Sequence, residues 1–121
     1  MGATVGVILF AHGSRDPLWR QPIERVAARV REHARQALVT CAYLELTEPD
    51  LGSATTQLLA QGVRSIRVVP MFLGMGRHAR EDLPRLLGDF QRQYPDTHLI
   101  LQPAIGEDPR LIDLMARIAL S

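Results

Sequence analysis

The sequence predicts a three-layer, doubly wound α/β fold around a four-stranded parallel sheet. Strand-like and helix-like segments alternate four times along the 121 residues. The strand-like segments are short continuous apolar runs, which are typical of strands buried on both faces. Parallel neighbours need crossover connections, and right-handed crossovers put helices on both faces of the sheet. We therefore expect one domain over residues 1–121, with the strand order 2-1-3-4.

The first strand is predicted over Val5–Ala11, an uninterrupted apolar run that ends at a polar turn. Asp16 and Pro17 then predict the start of the first helix, because aspartate caps a helix N-terminus and proline is favoured at its first position. Apolar residues three or four apart predict one buried stripe on this helix, formed by Trp19, Ile23, Val26, Val30 and Ala34.

The middle of the chain repeats this alternation. Leu38–Leu46 predicts the second strand, residues 47–50 open the second helix, and Gly62 closes it. Ser65–Met71 predicts the third strand, and a glycine-bearing loop over residues 73–78 follows it.

Two further elements complete the predicted domain. A third helix runs to about Tyr94, with Pro84 expected in its first turn because an interior proline would break it. Thr97–Gln102 predicts the fourth strand, and Asp108 caps the last helix. The inner face of that helix is expected to hold Leu111, Ile112, Leu114, Met115 and Ile118. The whole pattern is flavodoxin-like.

Composition narrows the classes of protein that fit. Hydrophobic residues make up 46%, as in globular domains, and the net charge of +1 favours no nucleic-acid partner. The apolar run at residues 5–11 is too short to span a bilayer and lacks the basic flank of a signal peptide. We therefore expect a cytoplasmic protein that binds neither nucleic acid nor membrane.

The candidate site lies at the carboxyl ends of the strands, where ligands of open α/β sheets bind. His12 follows the first strand, Glu45 and Glu48 end the second, and His78 lies in the loop after the third. Two imidazoles and a carboxylate at one edge suit a divalent first-row metal. Taken singly, each histidine fits an ordinary surface role equally well. The remaining histidines, His33 and His98, are interpreted as solvated or structural.

Residues flanking the two histidines have alternative interpretations. The apolar group at residues 71–75 forms either strand-end core, a wall for a flat macrocycle, or a self-association surface. The nearby arginines either pair with substrate carboxylates or are solvated charges. The glycines at 13, 74 and 76 either allow a close backbone approach or are turn residues. The residues expected to contact substrate are Ser14, Arg15, Phe72, Leu73, Gly74, Met75, Gly76 and Arg77.

Nucleotide motifs and lysine chemistry are absent from the sequence. It contains neither the dinucleotide-binding glycine pattern nor the Walker-type phosphate loop. All 14 basic residues are arginine, which excludes a Schiff-base mechanism and a phosphate-loop lysine. We therefore expect no nucleotide cofactor.

Three blocks of the sequence resemble the sirohydrochlorin chelatases of the CbiX and SirB type. They are residues 8–15 (ILFAHGSR), residues 43–49 (YLELTEP), and residues 69–73 (VPMFL) with 76–84 (GRHAREDLP). The resemblance implies a class II chelatase half that inserts a divalent metal into a tetrapyrrole without ATP, in cobalamin or sirohaem-type biosynthesis. It implies cobalt first, with iron or nickel as alternatives. It assigns catalysis to His12 and His78, and metal contact to both together with Glu45.

The length of the chain departs from part of that family. Longer members carry two such units in one chain, whereas this chain has one, which predicts a homodimer. A histidine-rich tail is absent, so no metal-storage role is expected. Two other functions stay open at this point. One is a metal or tetrapyrrole carrier without turnover. The other is an enzyme like the histidine phosphatases, which need an arginine where this chain has Ala11.

Overall fold

A computed structural model describes residues 5–121 of the chain. The four strands pair in parallel in the order β2-β1-β3-β4, which confirms the predicted topology. The elements are β1 (Val5–Ala11), α1 (Gln21–His33), β2 (Leu38–Tyr43), α2 (Leu51–Ala60), β3 (Ser65–Pro70), α3 (Arg77–Gln93), β4 (His98–Leu101), a 3₁₀ turn (Ile105–Glu107) and α4 (Pro109–Leu120).

The core divides into two clusters, one on each face of the sheet. Helices α2 and α3 cover one face, which we call the α2/α3 face, where Ile8, Ile66 and Val68 are fully buried. Helix α1 packs on the other face, the α1 face, against Leu9 and Val39. Alternate residues of each strand point to opposite faces, so every central strand contributes to both clusters.

Helix α1 begins later than the sequence predicted. The Asp16 carboxylate accepts the Leu18 N–H at 2.9 Å, but it caps only a short turn. The regular helix starts at Gln21. The physical reason is Pro22, which has no N–H to donate to the Leu18 carbonyl and is best accommodated in the first turn of a helix.

The buried stripe of α1 is also narrower than predicted. Ile23 is buried, and Val30 packs partly against the same cluster. Trp19 precedes the helix, while Val26 and Ala34 are exposed. Ala27, which the periodicity left out, completes the buried stripe.

Strand β2 ends at Tyr43, three residues before its predicted limit at Leu46. Leu46 has φ 65°, a left-handed conformation that no strand accommodates. Residues 44–50 therefore form a loop. Two predictions around α2 are confirmed: the helix opens directly after residues 47–50, with Asp50 as its N-cap, and Gly62, with φ 89°, follows its end.

Helix α3 contains Pro84 in its interior, so the prediction of a first-turn proline was wrong. The helix already begins at Arg77. Pro84 leaves the carbonyl of Arg80 without an intrahelical donor. Both residues are exposed, so water can satisfy that carbonyl, and the helix continues.

Helix α4 starts where the sequence predicted but does not pack as predicted. Asp108 caps it by accepting the Arg110 N–H at 2.8 Å. None of its residues is buried, and none joins either core cluster. The predicted inner face is therefore not buried in the described chain: Leu111 and Met115 are half-buried, whereas Ile112, Leu114 and Ile118 are exposed. Within residues 5–121 no helix is both long and apolar enough to cross a bilayer.

Candidate functional site

The loops after β1 and β2 are joined by hydrogen bonds that continue the pairing of these strands past its last pair, Ala11 and Tyr43. The Leu44 N–H donates to the Ala11 carbonyl at 2.9 Å, and the Glu45 N–H donates to the His12 carbonyl at 3.1 Å. The Thr47 hydroxyl donates to the Ser14 carbonyl at 2.6 Å and accepts the Ser14 N–H at 3.2 Å. These bonds hold the two loops side by side.

Gly13 lets the two loops approach this closely. Its φ is +103°, which residues with a side chain rarely adopt, and a Cβ at this position would overlap the Glu45 carbonyl. The predicted close approach of backbone is therefore found at Gly13. Gly74 and Gly76 have open space around them and no positive φ, and Gly76 serves as the N-cap of α3.

His12 and Glu45 form a polar pair at this rim. The His12 Nε2 lies 3.5 Å from the Glu45 Oε1, and the two side chains are 57% and 53% exposed. The His12 Nδ1 lies 3.3 Å from the Gly13 carbonyl oxygen. With its proton on Nδ1, the His12 ring can donate to that carbonyl, which leaves the Nε2 lone pair free to bind a cation shared with Glu45. The pair is thus open to an approaching ligand.

His78 lies in the first turn of α3 and lines a cleft with Glu45. The cleft has a volume of about 790 Å³, within the usual range of small-molecule sites. Phe72 forms part of its wall and packs edge-on against Phe10, with ring centroids 6.1 Å apart. Between residues 5 and 121, no three His, Cys, Asp or Glu side chains are clustered closely enough to hold a metal ion. The structure thus pairs His12 with Glu45, and places Glu45 and His78 along one cleft.

The residues predicted to contact substrate occupy different environments. Phe72 lines the cleft, whereas Met75 packs against the α2/α3 core. Leu73 is 70% exposed. Arg15 is also exposed, and Arg77 pairs with Glu81 at 3.3 Å. The Ser14 hydroxyl accepts the Asp16 N–H at 3.1 Å, so it supports the loop.

One face of α3 lines the cleft and was missed from the sequence. Its polar members, Asp82, Arg85 and Asp89, follow His78 at steps of four, three and four residues. That spacing is one helical face, so the signal was present once His78 is placed inside a helix. Leu44, Leu86 and Phe90 add apolar wall.

Two groups of β2, the Tyr43 phenol and the Cys41 thiol, keep their protons at neutral pH. Burial raises the pKa of the Tyr43 phenol to about 12, with a further contribution from nearby Cys41. Burial also raises the pKa of the Cys41 thiol, as expected for a core cysteine. Hydrogen bonds from Ser53 hold the pKa of Asp50 below its ordinary value. Asp50 therefore remains charged at the N-terminus of α2.

Known proteins match the chain over nearly its whole length. The CbiX family model matches residues 6–119. The sirohydrochlorin cobaltochelatase of Methanopyrus kandleri is 30% identical over 131 residues, covering 92% of both chains. The enzyme of that name from Saccharolobus islandicus is 30% identical over 119 residues, covering 93% of this chain and 91% of its own.

Solved structures give the same result for the fold. A CbiX protein from Marinobacter aquaeolei, described as putative and assigned to cobalamin biosynthesis, has a TM-score of 0.80 and 34% identity, covering 95% of this chain and 93% of its own. The cobalt complex of the sirohydrochlorin chelatase SirB from Bacillus subtilis has a TM-score of 0.78 at 24% identity, and this chain covers 50% of it. By sequence and by fold, this chain belongs to the CbiX family.

Proposed function

We propose that this protein is a sirohydrochlorin chelatase, which inserts a divalent metal into the tetrapyrrole ring. Cobalt is the first choice of metal, because relatives 30% identical to this chain carry the name sirohydrochlorin cobaltochelatase. The observation that carries the proposal is the His12–Glu45 pair at the rim, beside a cleft that His78 lines. Iron and nickel bind the same ligand types, so the ligands alone do not select the metal.

The geometry of the pair suits a shared ion. Two ligand atoms that each lie about 2.0–2.2 Å from a tetrahedral metal are separated by about 3.4 Å. The His12 Nε2 and the Glu45 Oε1 lie 3.5 Å apart. The pair can therefore bind the incoming metal with little rearrangement. His78 supplies a further imidazole from the wall of the cleft when the substrate and the metal are both present.

Insertion replaces two pyrrole N–H bonds with metal–nitrogen bonds, so two protons must leave the ring. As the metal passes to the ring, the His12 Nε2 lone pair becomes free and accepts one proton. We assign the second proton to the Glu45 carboxylate, its neighbour at 3.5 Å. General base catalysis of this kind contributes about 10²–10⁴-fold. The products are the metallated ring and two protons, which pass to solvent from the exposed side chains.

The substrate is held by the cleft and by arginines around it. The macrocycle packs on the apolar wall that includes Phe72, and its peripheral carboxylates pair with Arg15 and Arg77. No nucleotide takes part, since the sequence contains no Walker-type loop. We further propose that the protein acts in the cytoplasm as a homodimer.

The test is steady-state metal insertion into sirohydrochlorin with Co²⁺, followed by absorption spectroscopy. His78→Ala should lower kcat/KM by about 100-fold or more. His98→Ala is the matched control, because this exposed histidine lies at the opposite ends of the strands and should keep full activity. Wild-type activity in His78→Ala would refute the role of His78. A wild-type protein that releases no more than one metallated ring per chain would refute catalysis and indicate a carrier.

A further inference from the structure

The cleft that His78 lines carries one arginine among several carboxylates. Its acidic lining residues are Glu45, Asp50, Asp82 and Asp89. Among the arginines between residues 5 and 121, only Arg85 lines it. An anionic group that enters this cleft therefore meets repulsion at most of the charged positions and attraction at one.

Arg85 lies two helical turns beyond His78 on the same face of α3. A separation of seven residues in an α-helix is close to two full turns and rises about 10.5 Å along the axis. Both residues line the cleft, so the helix presents an imidazole at one level and a guanidinium at the next but one. The fold thus sets a fixed spacing between these two groups.

The carboxylates at helical spacing from Arg85 are paired with other arginines. Glu81, four residues before it, accepts the Arg77 Nε–H at 3.3 Å. Asp89, four residues after it, forms its ion pair with Arg92. No carboxylate between residues 5 and 121 lies within ion-pair distance of the Arg85 guanidinium. Its N–H donors are therefore open to a ligand.

A tetrapyrrole supplies the group that complements this arginine. Under the proposed function, the substrate is a flat ring with carboxylate-tipped arms around its edge. When the ring centre lies near His78, an edge carboxylate is one ring radius plus one arm away, which is comparable with the helical rise to Arg85. Arginine binds such a carboxylate through two parallel N–H donors. Between the two points, Phe72 and Leu86 provide apolar wall for the ring.

We propose that Arg85 binds one edge carboxylate of the tetrapyrrole and thereby fixes the rotational orientation of the ring in the cleft. This inference rests on the proposed function of the same site. The acidic residues of the cleft disfavour orientations that direct a carboxylate arm at them, so attraction and repulsion select the same orientation. Arg15 and Arg77 are not among the lining residues, so they bind arms on another part of the ring edge. Arg85 is a specificity-determining residue and takes no part in proton transfer.

The first test is a fluorescence titration of metal-free sirohydrochlorin into the wild type and three variants. Arg85→Gln should raise Kd about 10-fold, because it removes a charge-assisted hydrogen-bonded pair. Arg85→Lys keeps the charge without the two-pronged geometry and should recover part of the affinity. Arg80→Gln is the matched control, since Arg80 is an exposed arginine of the same helix that does not line the cleft. Equal Kd values for wild type and Arg85→Gln, or equal weakening by Arg80→Gln, would overturn the proposal.

The second test asks whether the partner of Arg85 is a carboxylate. Conversion of the peripheral carboxylates to primary amides removes their charge and keeps the ring. The ratio of Kd values between Arg85→Gln and wild type should then fall towards one. A 10-fold ratio that persists with the amide would show that Arg85 acts through the shape of the cleft, and would overturn the proposal. Arg85 is exposed, so melting curves should match the wild type.

Insertion kinetics separate this inference from the proposed function. With Co²⁺ present, Arg85→Gln should raise KM for the ring about 10-fold and leave kcat within about twofold, as expected when binding is lost equally in ground and transition states. A fall in kcat at unchanged KM would overturn the assigned role. A wild-type protein that binds the ring without inserting metal would refute the chelatase alone, because both titrations omit metal. A wild-type protein that binds no ring would overturn both.

Discussion

The α2/α3 core and the carboxyl rim of the sheet are separated by two residues along β1, yet they are built from opposite chemistry. Phe10 is 2% exposed and packs in the core, whereas the His12 side chain is more than half exposed. The core consists of apolar side chains that lose water on folding. The rim consists of polar side chains that stay hydrated and are held by backbone hydrogen bonds between loops. Substitutions in the core should therefore change stability, and those at the rim should change chemistry.

The largest effect should come from the rim. His12→Ala should lower kcat/KM for metal insertion by about 10²–10⁴-fold, because it removes the proposed proton acceptor and metal ligand. Its side chain is exposed, so thermal unfolding should change little. The measurement pairs insertion kinetics with a melting curve. A large loss of stability in His12→Ala would show that the rim also supports the fold, and would contradict the division between a stabilising core and a reactive rim.

The corresponding core variant is Ile66→Ala. Ile66 is a residue of β3 that is fully buried beneath the helices of the α2/α3 face. Its truncation should therefore lower the free energy of unfolding by about 2–5 kcal/mol. Activity per folded molecule should stay near the wild-type value. Chemical denaturation measures the first quantity, and Leu73→Ala, at a largely exposed site, is the control with little expected change. If Ile66→Ala were as stable as the wild type, the result would contradict the burial of Ile66 in the core.

Gly13→Ala should affect both properties, because Gly13 joins the rim to the chain that forms the core. The substitution forces a side chain into φ +103° and into the Glu45 carbonyl, which should cost about 1–3 kcal/mol of stability. The displaced loop should also move Glu45 away from His12 and slow metal insertion. Denaturation and kinetics on the same sample test both effects. Unchanged kinetics would show that the pair tolerates this displacement.

The smallest effect should come from Asp50, the cap of α2 at the edge of the cleft. Asp50→Ala should reduce the free energy of unfolding by about 0.5–2 kcal/mol, since the Ser53 N–H loses its acceptor at 2.8 Å. The pKa of Asp50 is lowered on folding, so its charged form stabilises the protein above the ordinary value of 3.8. That stabilisation is lost as the pH falls through the lowered folded pKa.

Denaturation curves for wild type and Asp50→Ala at several pH values measure this dependence. The stability difference should be constant near neutral pH and shrink below about pH 4. A difference that grows in acid would mean that the carboxylate is not the stabilising form.

Local patterns predicted some boundaries well and others poorly. The end of β1 at Ala11 was predicted correctly, because the apolar run stops there at a polar turn. The start of α1 was misplaced because Asp16 and Pro17 resemble the N-terminus of a helix. Pro22, which is also visible in the sequence, instead places the first turn of the regular helix at Gln21. The end of β2 was misplaced because the left-handed Leu46 and the loop over residues 44–50 carry apolar residues that locally resemble a strand.

The sequence by itself determined the strand order, the opening of α2 after residues 47–50, the helix cap at Asp108, and the edge of the sheet to which His12, Glu45 and His78 belong. These follow from periodicity, capping chemistry and the rule that parallel strands end together, all of which are local or topological. Only the tertiary structure decided that Glu45 meets His12 at 3.5 Å, that one face of α3 forms part of the cleft wall, and that no residue of α4 is fully buried. Such contacts depend on the directions in which separate segments pack, and residues far apart in the chain set those directions jointly.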